Sequence, residues 1–457
     1  MSRPGPAARQ IALAAICDRA GNVTAHLNRL LSPGEVPAQE AALARELALG
    51  VVRRRGTLDA VILAFQRGRA KGLPKRVRAV LRLGLYQLLF LDRVPAFAAV
   101  NEAVEQIGPR RRGMRAFVNA VLRNVARSLS APQAGSPEAG RDVLPVARDC
   151  FRRFDRPVFA DPATDAAGYL AGAYSLPKGL AVKWLTDLGP FDAVRRLACH
   201  ANSRPPLILR VNALRGSVEE ALAELRAGGV EVLRHANGLS VVLPEGADVR
   251  SLSVFTQGKV QPQDAAASSV IAEADVAAGM RVLDLCASPG TKTTHLAERM
   301  EDSGEVLAVD VTDEKLARVR ENCDRMGVSI VRTLRAEQVG DLPQASFDLV
   351  LVDAPCSNTG VLARRPEARW RFSRRRLRAL AADQRDLLGL ALKLVRPGGT
   401  CVYATCSMET EENEEPARAA AHAEAGAKVF RDKRIHPSGW DDPAGWSDGG
   451  YFAVLRR

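Results

Sequence analysis

The sequence predicts a multidomain chain, in which an all-α bundle is followed by a small α/β domain and then by a larger, doubly wound α/β domain. At 457 residues the chain is too long for one ordinary core. Apolar residues recur at helical spacing through the first 130 residues, whereas strands alternate with helices from about residue 280. We therefore expect domains at 1–130, 166–265 and 266–457, with a proline- and glycine-rich linker at 131–165.

The basic excess of the chain lies in the first of these domains. The net charge is +13, and residues 1–130 hold 22 Lys and Arg against 8 Asp and Glu, which leaves the remainder close to neutral. Arginine clusters fall at predicted helix ends, at 53–55, 75–78 and 110–115. One such cluster is usually a solvated surface, but three in one small domain favour a polyanion partner. RNA or DNA is favoured over a membrane because no basic amphipathic anchor is evident.

Composition and spacing do not indicate secretion, membrane insertion or metal binding. No apolar run approaches the ~18 residues of a membrane span, and residues 1–6 lack the apolar core of a signal peptide. The eight cysteines contain no C-x-x-C pair, so neither a zinc site nor a disulfide framework is expected. We expect a cytoplasmic monomer without a metal.

Three stretches of residues 5–130 carry a family resemblance. They are V-L-R-L-G-L-Y-Q-L-L-F at 80–90, V-N-E-A-V-E at 100–105 and F-V-N-A-V-L at 117–122. From the last stretch onward, Val121 and Val125 recur at helical spacing. These stretches resemble the NusB antitermination fold, which implies an RNA-binding helical bundle.

Residues 166–265 predict a mixed α/β domain without a catalytic constellation. The run at 207–212 is strand-like, and Ser217 and Glu220 form a capping box that opens a helix. Asn237 and Gly238, between two apolar runs, are a hairpin signal. We expect this small domain to position RNA.

Two thiols follow two predicted strands of the C-terminal domain. The apolar run 347–352 leads through Asp353 and Pro355 to Cys356, and a second run is followed directly by Cys406. Ligands of a doubly wound sheet bind beyond the carboxyl ends of its strands, so both thiols are expected to face one site. A lone cysteine is most often a packing residue, but the proline turn and the nearby acid favour a reactive one.

A glycine loop follows the first strand of the same domain. The strand at 281–287 leads into S-P-G-T-K at 288–292, and the next strand, 305–310, ends in Asp310. A glycine lets backbone approach a ligand, and an acid after the second strand can hold ribose hydroxyls. The loop has neither the dinucleotide nor the Walker glycine pattern, which favours a smaller adenosine cofactor over NAD or ATP.

Two thiols and an acid beside an adenosine site suit methyl transfer to C5 of a pyrimidine. That carbon is a poor nucleophile until a thiolate adds to C6. Asp353 is a candidate to supply a proton toward N3, and Lys292 is a candidate to promote thiolate character. The spacing alone does not decide which of Cys356 and Cys406 attacks.

Three motifs of the C-terminal domain carry a second resemblance. They are D-L-C-A-S-P-G-T-K-T at 284–293, D-A-P-C-S at 353–357 and A-T-C-S at 404–407. They resemble the S-adenosylmethionine-dependent RNA cytosine-5 methyltransferases of the Sun/Nop group, whose class I methyltransferase domain is Rossmann-like. With the NusB-like domain in front, the resemblance covers nearly the whole chain and implies small-subunit (16S) rRNA as the substrate.

The resemblance implies a role for each residue of the site. Cys406 would be the nucleophile and Cys356 would assist product release, whereas in DNA cytosine methyltransferases the cysteine of the Pro-Cys pair attacks. Asp353 would lie near the base or the methionine end of the cofactor. The remaining cofactor contacts would be Cys286, Ala287, Ser288, Pro289, Gly290, Thr291 and Lys292, Asp310 on the ribose, and Glu337 on the adenine side.

The chain departs from the family pattern at two places. The usual A-P-G-G-K is S-P-G-T-K here, and Thr291 adds a Cβ that either weakens cofactor affinity or is accommodated if its φ is negative. The acid expected after the third strand, usually in a Gly-Asp pair, has only Glu337 as a candidate. These departures motivate an alternative of another class, a non-catalytic RNA-binding assembly or antitermination factor, although the two thiols and Asp353 argue against it.

An arginine-rich segment follows the first thiol. Residues 364–378 contain eight arginines, with Trp370 and Phe372 among them. Such a run is often only the solvated start of a helix. Its place after Cys356, with aromatic rings available for stacking, favours contact with a splayed RNA strand.

Overall fold

A computed structural model describes residues 8–17, 23–31, 36–66, 72–136, 138–244 and 247–457. The expectations for residues 1–7, including the missing signal-peptide core, lie outside the described residues. The chain divides into two compact units. The first contains the described residues up to Ser203 together with Arg365–Arg371, and the second contains Arg204–Arg364 with Phe372–Arg457. In the described parts of the chain, no helix combines the length and the apolarity needed to span a membrane.

The N-terminal segment is helical, as the apolar spacing predicts. Helix α5 lies at its centre, because most of its residues are buried and it packs against five other helices. On α7, Val118, Val121, Leu122 and Val125 form the buried face. The described helices are α1 (Ala8–Cys17), α2 (Val23–Leu30), α3 (Ala38–Arg53), α4 (Arg55–Phe65), α5 (Lys75–Phe90), α6 (Ala96–Glu105) and α7 (Arg112–Ser128).

The segment expected to be a linker is folded. It forms an antiparallel sheet of order β1-β3-β2, from β1 (Gln133–Ala134), β2 (Val143–Ala147) and β3 (Cys150–Arg153). Arg54 donates to the carbonyls of Pro145 and Val146 at 3.1 and 2.7 Å, which ties the sheet to the helices. Pro145 lies within β2 itself, so proline content does not mark a linker here, and Arg54 is buried inside the unit instead of facing a nucleic acid.

Residues 166–202, which we assigned to the small α/β domain, form three helices that pack in the first unit instead. They are α8 (Ala166–Ala173), α9 (Lys178–Asp187) and α10 (Phe191–Asn202). The Gly56 amide donates to Ser175 Oγ at 2.8 Å, and Thr57 Oγ1 donates to the Ala173 carbonyl at 3.3 Å. The second unit accordingly begins near residue 204 and not near 166.

The second unit opens with a four-stranded antiparallel sheet of order β5-β6-β4-β7. The expected capping box is present, since Ser217 and Glu220 exchange side-chain and backbone hydrogen bonds. The expected hairpin joins β5 and β6, and Gly238 adopts a φ of 72° in it. The elements are β4 (Leu207–Val211), α11 (Val218–Ala227), β5 (Leu233–Arg234), β6 (Ser240–Leu243), α12 (Ser253–Thr256) and β7 (Val260–Pro262).

The larger α/β part of this unit alternates strands and helices as the sequence predicts. Its strands are β8 (Arg281–Asp284), β9 (Glu305–Asp310), β10 (Val331–Arg335), β11 (Phe347–Asp353), β12 (Val395–Thr405), β13 (Lys428–Ile435) and β14 (Gly450–Arg456). The helices are α13 (Ala265–Ala272), α14 (Thr291–Arg299), α15 (Asp313–Met326), α16 (Ala368–Arg371), α17 (Arg374–Leu394) and α18 (Glu414–Ala423). Of these, α16 belongs to the first unit.

Seven strands form one sheet of order β10-β9-β8-β11-β12-β14-β13. The first five are parallel, and β14 runs antiparallel to both neighbours. Apolar clusters cover both faces, one including Phe347 with Leu388 of α17, the other Leu349 with Leu296 of α14. The strand order reverses between β8 and β11, so a crevice forms beyond their carboxyl ends.

A buried ion pair joins the small sheet to the larger one within the second unit. Arg210 of β4 is 1% exposed, and its guanidinium donates to Glu298 of α14 and to Gln263. Asn212 donates to the carbonyls of Gly258 and Met326, both at 2.9 Å. The L-R-V-N stretch at 209–212 therefore has a packing role.

Candidate active site

Two strands bring the two cysteines to one edge of the sheet. Strands β11 and β12 are parallel neighbours in which Asp353 is in register with Ala404. Cys356 lies three residues beyond the first strand, and Cys406 follows the second directly. The two sulfur atoms are 3.1 Å apart. Cys356 is buried at 7% exposure and Cys406 is half-buried, so the two thiols differ in access.

The surroundings of Cys356 determine the protonation state of its thiol. The hydrogen bond with Cys406 and burial together raise the pKa of Cys356 well above its ordinary value, and the charges of Cys406 and Glu412 act in the same direction. Cys356 therefore keeps its proton at neutral pH and can donate it to the Cys406 sulfur. In the structure the Cys406 thiol also donates to Asn358 Oδ1, at 3.3 Å.

Lys292 and Asp353 form an ion pair next to these thiols. Lys292 Nζ donates to Asp353 Oδ2 at 2.7 Å. Burial by itself would lower the pKa of Lys292, but the charge and hydrogen bond of Asp353, with a smaller contribution from Cys406, raise it. Lys292 is therefore a cation at neutral pH, placed where it can stabilise a thiolate.

A small cavity of about 50 Å³ adjoins this pair. Lys292, Asp353 and Cys406 all line it, whereas Cys356 does not. Asp264 and Asp448 also line it. Both carboxylates bind Arg364, at 3.0 and 2.7 Å respectively, which holds them in place.

Glu412 supports the loops that carry both thiols, a role that sequence reasoning missed. Its carboxylate accepts from the Ser357 amide at 2.8 Å, from Ser407 Oγ at 2.5 Å and from the Ser357 hydroxyl. Gln384 of α17 donates to the same carboxylate at 3.3 Å. In the sequence, Glu412 lies in an acidic run typical of a solvated surface, yet the side chain is fully buried.

The glycine loop has the shape of a cofactor cradle. Gly290 has a φ of 98°, and a Cβ built on it would lie 3.2 Å from Val319 Cα, so the position requires glycine. The Ser288 amide donates to Asp310 Oδ2 at 3.0 Å, which joins the ends of β8 and β9. Thr291 is the first residue of α14 and does not have a positive φ, so its Cβ is accommodated.

A buried acceptor also faces this loop. Asp284 is fully buried and accepts from Thr293 Oγ1 at 2.8 Å, but its Oδ1 has no hydrogen-bond partner among the described residues. Burial raises the pKa of Asp284 to about 7, against the hydrogen bond from Thr293. An unsatisfied carboxylate oxygen beside the loop fits a ligand that brings a cation, such as the α-ammonium of a methionine group.

Two further sequence candidates lie near the same edge. Cys286 is half-buried, and burial followed by the charges of neighbouring acids raises the pKa of its thiol, which keeps it protonated. Glu337 lies just after β10, next to the end of β9, because Arg335 is in register with Asp310. Its side chain is exposed.

The arginine-rich segment after the first thiol is partly built into the protein. Arg369 is fully buried, and Trp370 Nε1 donates to the Val52 carbonyl at 2.8 Å in the first unit. Arg364 is held by two carboxylates. The expected contact with RNA is therefore wrong for Arg369, while Arg371, Arg374–Arg376 and Arg378 are exposed.

The parallel sheet with its antiparallel β14, the glycine loop after β8 and the acid after β9 define an S-adenosylmethionine-dependent methyltransferase of class I. The family models that match are the 16S rRNA methyltransferase RsmB/F at residues 274–439, the NusB family at 6–127 and the ferredoxin-like domain of RsmF/B-like methyltransferases at 176–250. The chain belongs to the RsmB/F family of rRNA small-subunit methyltransferases. This confirms the resemblance that the motifs indicate.

Similar proteins extend over most of the chain. Ribosomal RNA small subunit methyltransferase B of Vibrio cholerae is 33% identical over 437 residues, which cover 93% of this chain and 91% of that protein. The probable ribosomal RNA small subunit methyltransferase B of Bacillus subtilis is 32% identical and covers 85% and 81% of the two chains. The crystal structure of PH0851 is 25% identical and superposes over the whole of both chains with a TM-score of 0.75.

Proposed function

We propose that this chain methylates C5 of a cytosine in small-subunit rRNA through a covalent bond between Cys406 and C6 of the base. One observation carries the assignment of the nucleophile: Cys406 lines the cavity shared with Lys292 and Asp353, and Cys356 does not. A cytosine base that enters this cavity would contact the sulfur of Cys406 before that of Cys356. The more deeply buried sulfur of Cys356 lies 3.1 Å from it.

The attack begins with ionised Cys406. The Lys292 cation and a hydrogen bond from the Cys356 thiol stabilise the thiolate. Formation of the S–C6 bond moves the electron pair of the C5–C6 double bond toward C5 and the N3 edge. Lys292 and Asp353, already paired, are placed to balance the charge and hold a proton at that edge.

S-adenosylmethionine is the cofactor and supplies an electrophilic methyl group to C5. The residues that fit it are the loop from Cys286 to Lys292, Asp310 for the ribose, Asp284 for the cationic methionine end, and Glu337 for the adenine side. Asp310 retains acceptor capacity on Oδ2, which receives one bond in the structure. The exposed Glu337 carboxylate lies 3.7 Å from the Arg335 guanidinium and would contact the adenine side from the surface.

Cys356 would act as the base in product release. While Cys406 is a thiolate, its hydrogen bond and charge raise the pKa of Cys356. Once Cys406 becomes a thioether that charge is gone, so the pKa of Cys356 falls, its thiol loses the proton to solvent, and the resulting thiolate is available as a base. Removal of the C5 proton then returns the electron pair to the C5–C6 bond and expels the Cys406 sulfur.

The other domains are proposed to bring the RNA to this site. The first unit, with the NusB-like helices, would contribute RNA affinity, since the basic excess of the chain lies in residues 1–130. The four-stranded sheet of the second unit would position the RNA. The non-catalytic alternative has less support, because the thiols, the Lys292–Asp353 pair and the cofactor loop meet at one edge of the sheet.

The test compares two cysteine variants on labelled 16S rRNA transcript, resolved by denaturing electrophoresis. Cys406→Ala should abolish both 5-methylcytosine and any covalent protein–RNA species, because the adduct cannot form. Cys356→Ala should methylate once and then accumulate a covalent adduct, because elimination lacks its base. The two variants should therefore be distinguished by the covalent adduct, which is absent in Cys406→Ala and accumulates in Cys356→Ala.

Cys401→Ala is the matched control. Cys401 is a fully buried thiol of β12 away from the cavity, so its variant should resemble the wild-type chain in both assays. Adduct accumulation in Cys406→Ala and not in Cys356→Ala would reverse the two roles. Full methylation by both variants would refute the covalent mechanism.

A further inference from the structure

A second, larger cavity lies in the first unit, far along the chain from the thiols. It has a volume of about 580 Å³ and is lined by residues of α1, α4 and α5. Four of its lining residues are cations: Arg55, Lys75, Arg78 and Arg82. Among the described residues, Ile16, Cys17 and Ala79 also line it, and none of the three is charged.

The helical spacing places three of these cations on one face of α5. Lys75, Arg78 and Arg82 follow one another at three and four residues, which aligns them along a single stripe. Arg55, the first residue of α4, faces the same cavity. The fold therefore gathers four positive charges around one concave space.

One carboxylate balances this cluster among the described residues. Asp59 binds Arg82 through two bonds of 2.7 Å and so fixes the guanidinium of a side chain that is only 12% exposed. No ion pair to Lys75, Arg78 or Arg55 is found in the parts of the chain that the structure describes. Burial lowers the pKa of Arg55, and the charges of Arg82 and Arg78 lower it further, against Asp59 alone.

The N-terminus of α5 adds to the positive charge around the cavity. The first turn of α5 contains no acid but carries Lys75, Arg76 and Arg78. A helix N-terminus bears a partial positive charge that favours acids and disfavours cations. This repulsion between positive charges destabilises the free protein. An anion that binds in the cavity would therefore stabilise the fold.

We propose that this cavity binds a phosphate group of the RNA backbone. Guanidinium groups bind phosphate through paired N–H donors, and Arg82 is already oriented by Asp59. Arg55 lies over the Trp370 ring at 4.9 Å, which holds its side chain at the rim. The choice of RNA as the source of the phosphate rests on the proposed function.

The main test measures binding of the full chain to unmodified 16S rRNA transcript on nitrocellulose filters between 50 and 250 mM KCl. The variant is Lys75→Gln with Arg78→Gln, which leaves the Arg82–Asp59 pair intact. Removing one phosphate interaction should reduce the slope of log affinity against log salt by about 0.7–0.9 and weaken binding roughly tenfold in 0.1 M salt. The matched control is Arg123→Gln with Arg127→Gln, two exposed arginines of α7.

A second measurement separates RNA phosphate from free phosphate and checks folding. Inorganic pyrophosphate should raise the Tm of the wild-type chain and of the control, but not that of the pocket variant. Without any anion, the pocket variant should unfold no earlier than wild type, because like charges have been removed. A pocket variant that loses the pyrophosphate effect but keeps the wild-type salt slope would show a free-phosphate site and overturn the RNA assignment.

The outcomes also distinguish this inference from the proposed function. An equal decrease of the salt slope in the pocket variant and the control would mean that the cavity is not a specific site. If the wild-type chain forms no 5-methylcytosine while the pocket variant still has a reduced salt slope, the proposed function fails and the phosphate site stands. If the wild-type chain forms 5-methylcytosine and the pocket variant keeps the wild-type salt slope, the proposed function stands and the phosphate site fails.

Discussion

At the scale of single residues, the site depends on neighbours that are distant in the sequence. Cys356 and Cys406 are fifty positions apart, yet their sulfurs are in contact. The hydrogen bond with Cys406 is the largest cause of the raised pKa of Cys356, and burial is the second. The two thiols therefore act as one titrating pair, in which bond formation at one sulfur changes the basicity of the other.

Glu412 should control the rate of methylation through the geometry of this pair. Glu412→Gln replaces a buried acceptor of several hydrogen bonds with a group that accepts through one oxygen, which should cost about 1–3 kcal/mol of stability. Because the thiol loops shift, kcat should fall roughly ten- to hundredfold. Single-turnover methylation and calorimetry with S-adenosylmethionine would measure this, and cofactor affinity should not change.

Glu415→Gln is the control for that prediction. Glu415 is an exposed carboxylate of α18, so its variant should keep both kcat and Tm. A Glu412→Gln chain with a lowered Tm but wild-type kcat would make the residue a stabilising group without a positioning role.

At the scale of elements, the loop before α14 and the helix α17 use glycine in opposite ways. Gly290 ends the loop in a left-handed conformation against the backbone of Val319. Gly389 lies inside α17, where a Cβ would meet nothing within 4 Å. The same substitution should therefore have opposite signs at the two positions.

Gly290→Ala should destabilise the chain by about 1–2 kcal/mol, from left-handed strain alone, and weaken S-adenosylmethionine binding. Gly389→Ala should stabilise it by about 0.5–1 kcal/mol and leave binding unchanged. Urea denaturation and calorimetry measure the two effects. Equal cofactor affinity in wild type and Gly290→Ala would argue against the loop as the cradle.

At the scale of the whole molecule, one short segment of the C-terminal half folds with the N-terminal half. Arg365–Arg371 belongs to the first unit, although the residues on both sides belong to the second. Arg369 is the anchor, since it is fully buried and donates to four acceptors of that unit: Arg53 O, Ser175 O, Asn202 Oδ1 and Ala201 O, at 2.7–3.3 Å.

Arg369→Lys should destabilise the first unit by about 2–4 kcal/mol, because one ammonium group cannot serve the acceptors that a guanidinium fork reaches. Burial already lowers the pKa of Arg369 to about 9, and the charges of Arg53 and Arg54 lower it further, so the buried cation depends on its hydrogen bonds. Thermal unfolding would show an earlier transition. Arg371→Lys, at an exposed position, should unfold as wild type does, and an unshifted Tm for Arg369→Lys would refute the anchoring role.

Local patterns in the sequence determined most of the fold. β9 spans the expected residues 305–310, the capping box at Ser217 forms, and the hairpin turns at Gly238. These features depend on residues a few positions apart, so periodicity and turn chemistry suffice to predict them. The strand-end positions of Asp310, Asp353 and both cysteines were predictable for the same reason.

Tertiary packing alone decided the rest. The order of elements did not reveal that residues 131–165 form a sheet against the helices, or that Arg369 is buried. It also did not reveal that Glu412 lies under the thiol loops or that Cys406 lines the cavity. Burial and hydrogen-bond partners depend on which distant segment covers a side chain, and neither charge nor spacing along the chain encodes that contact.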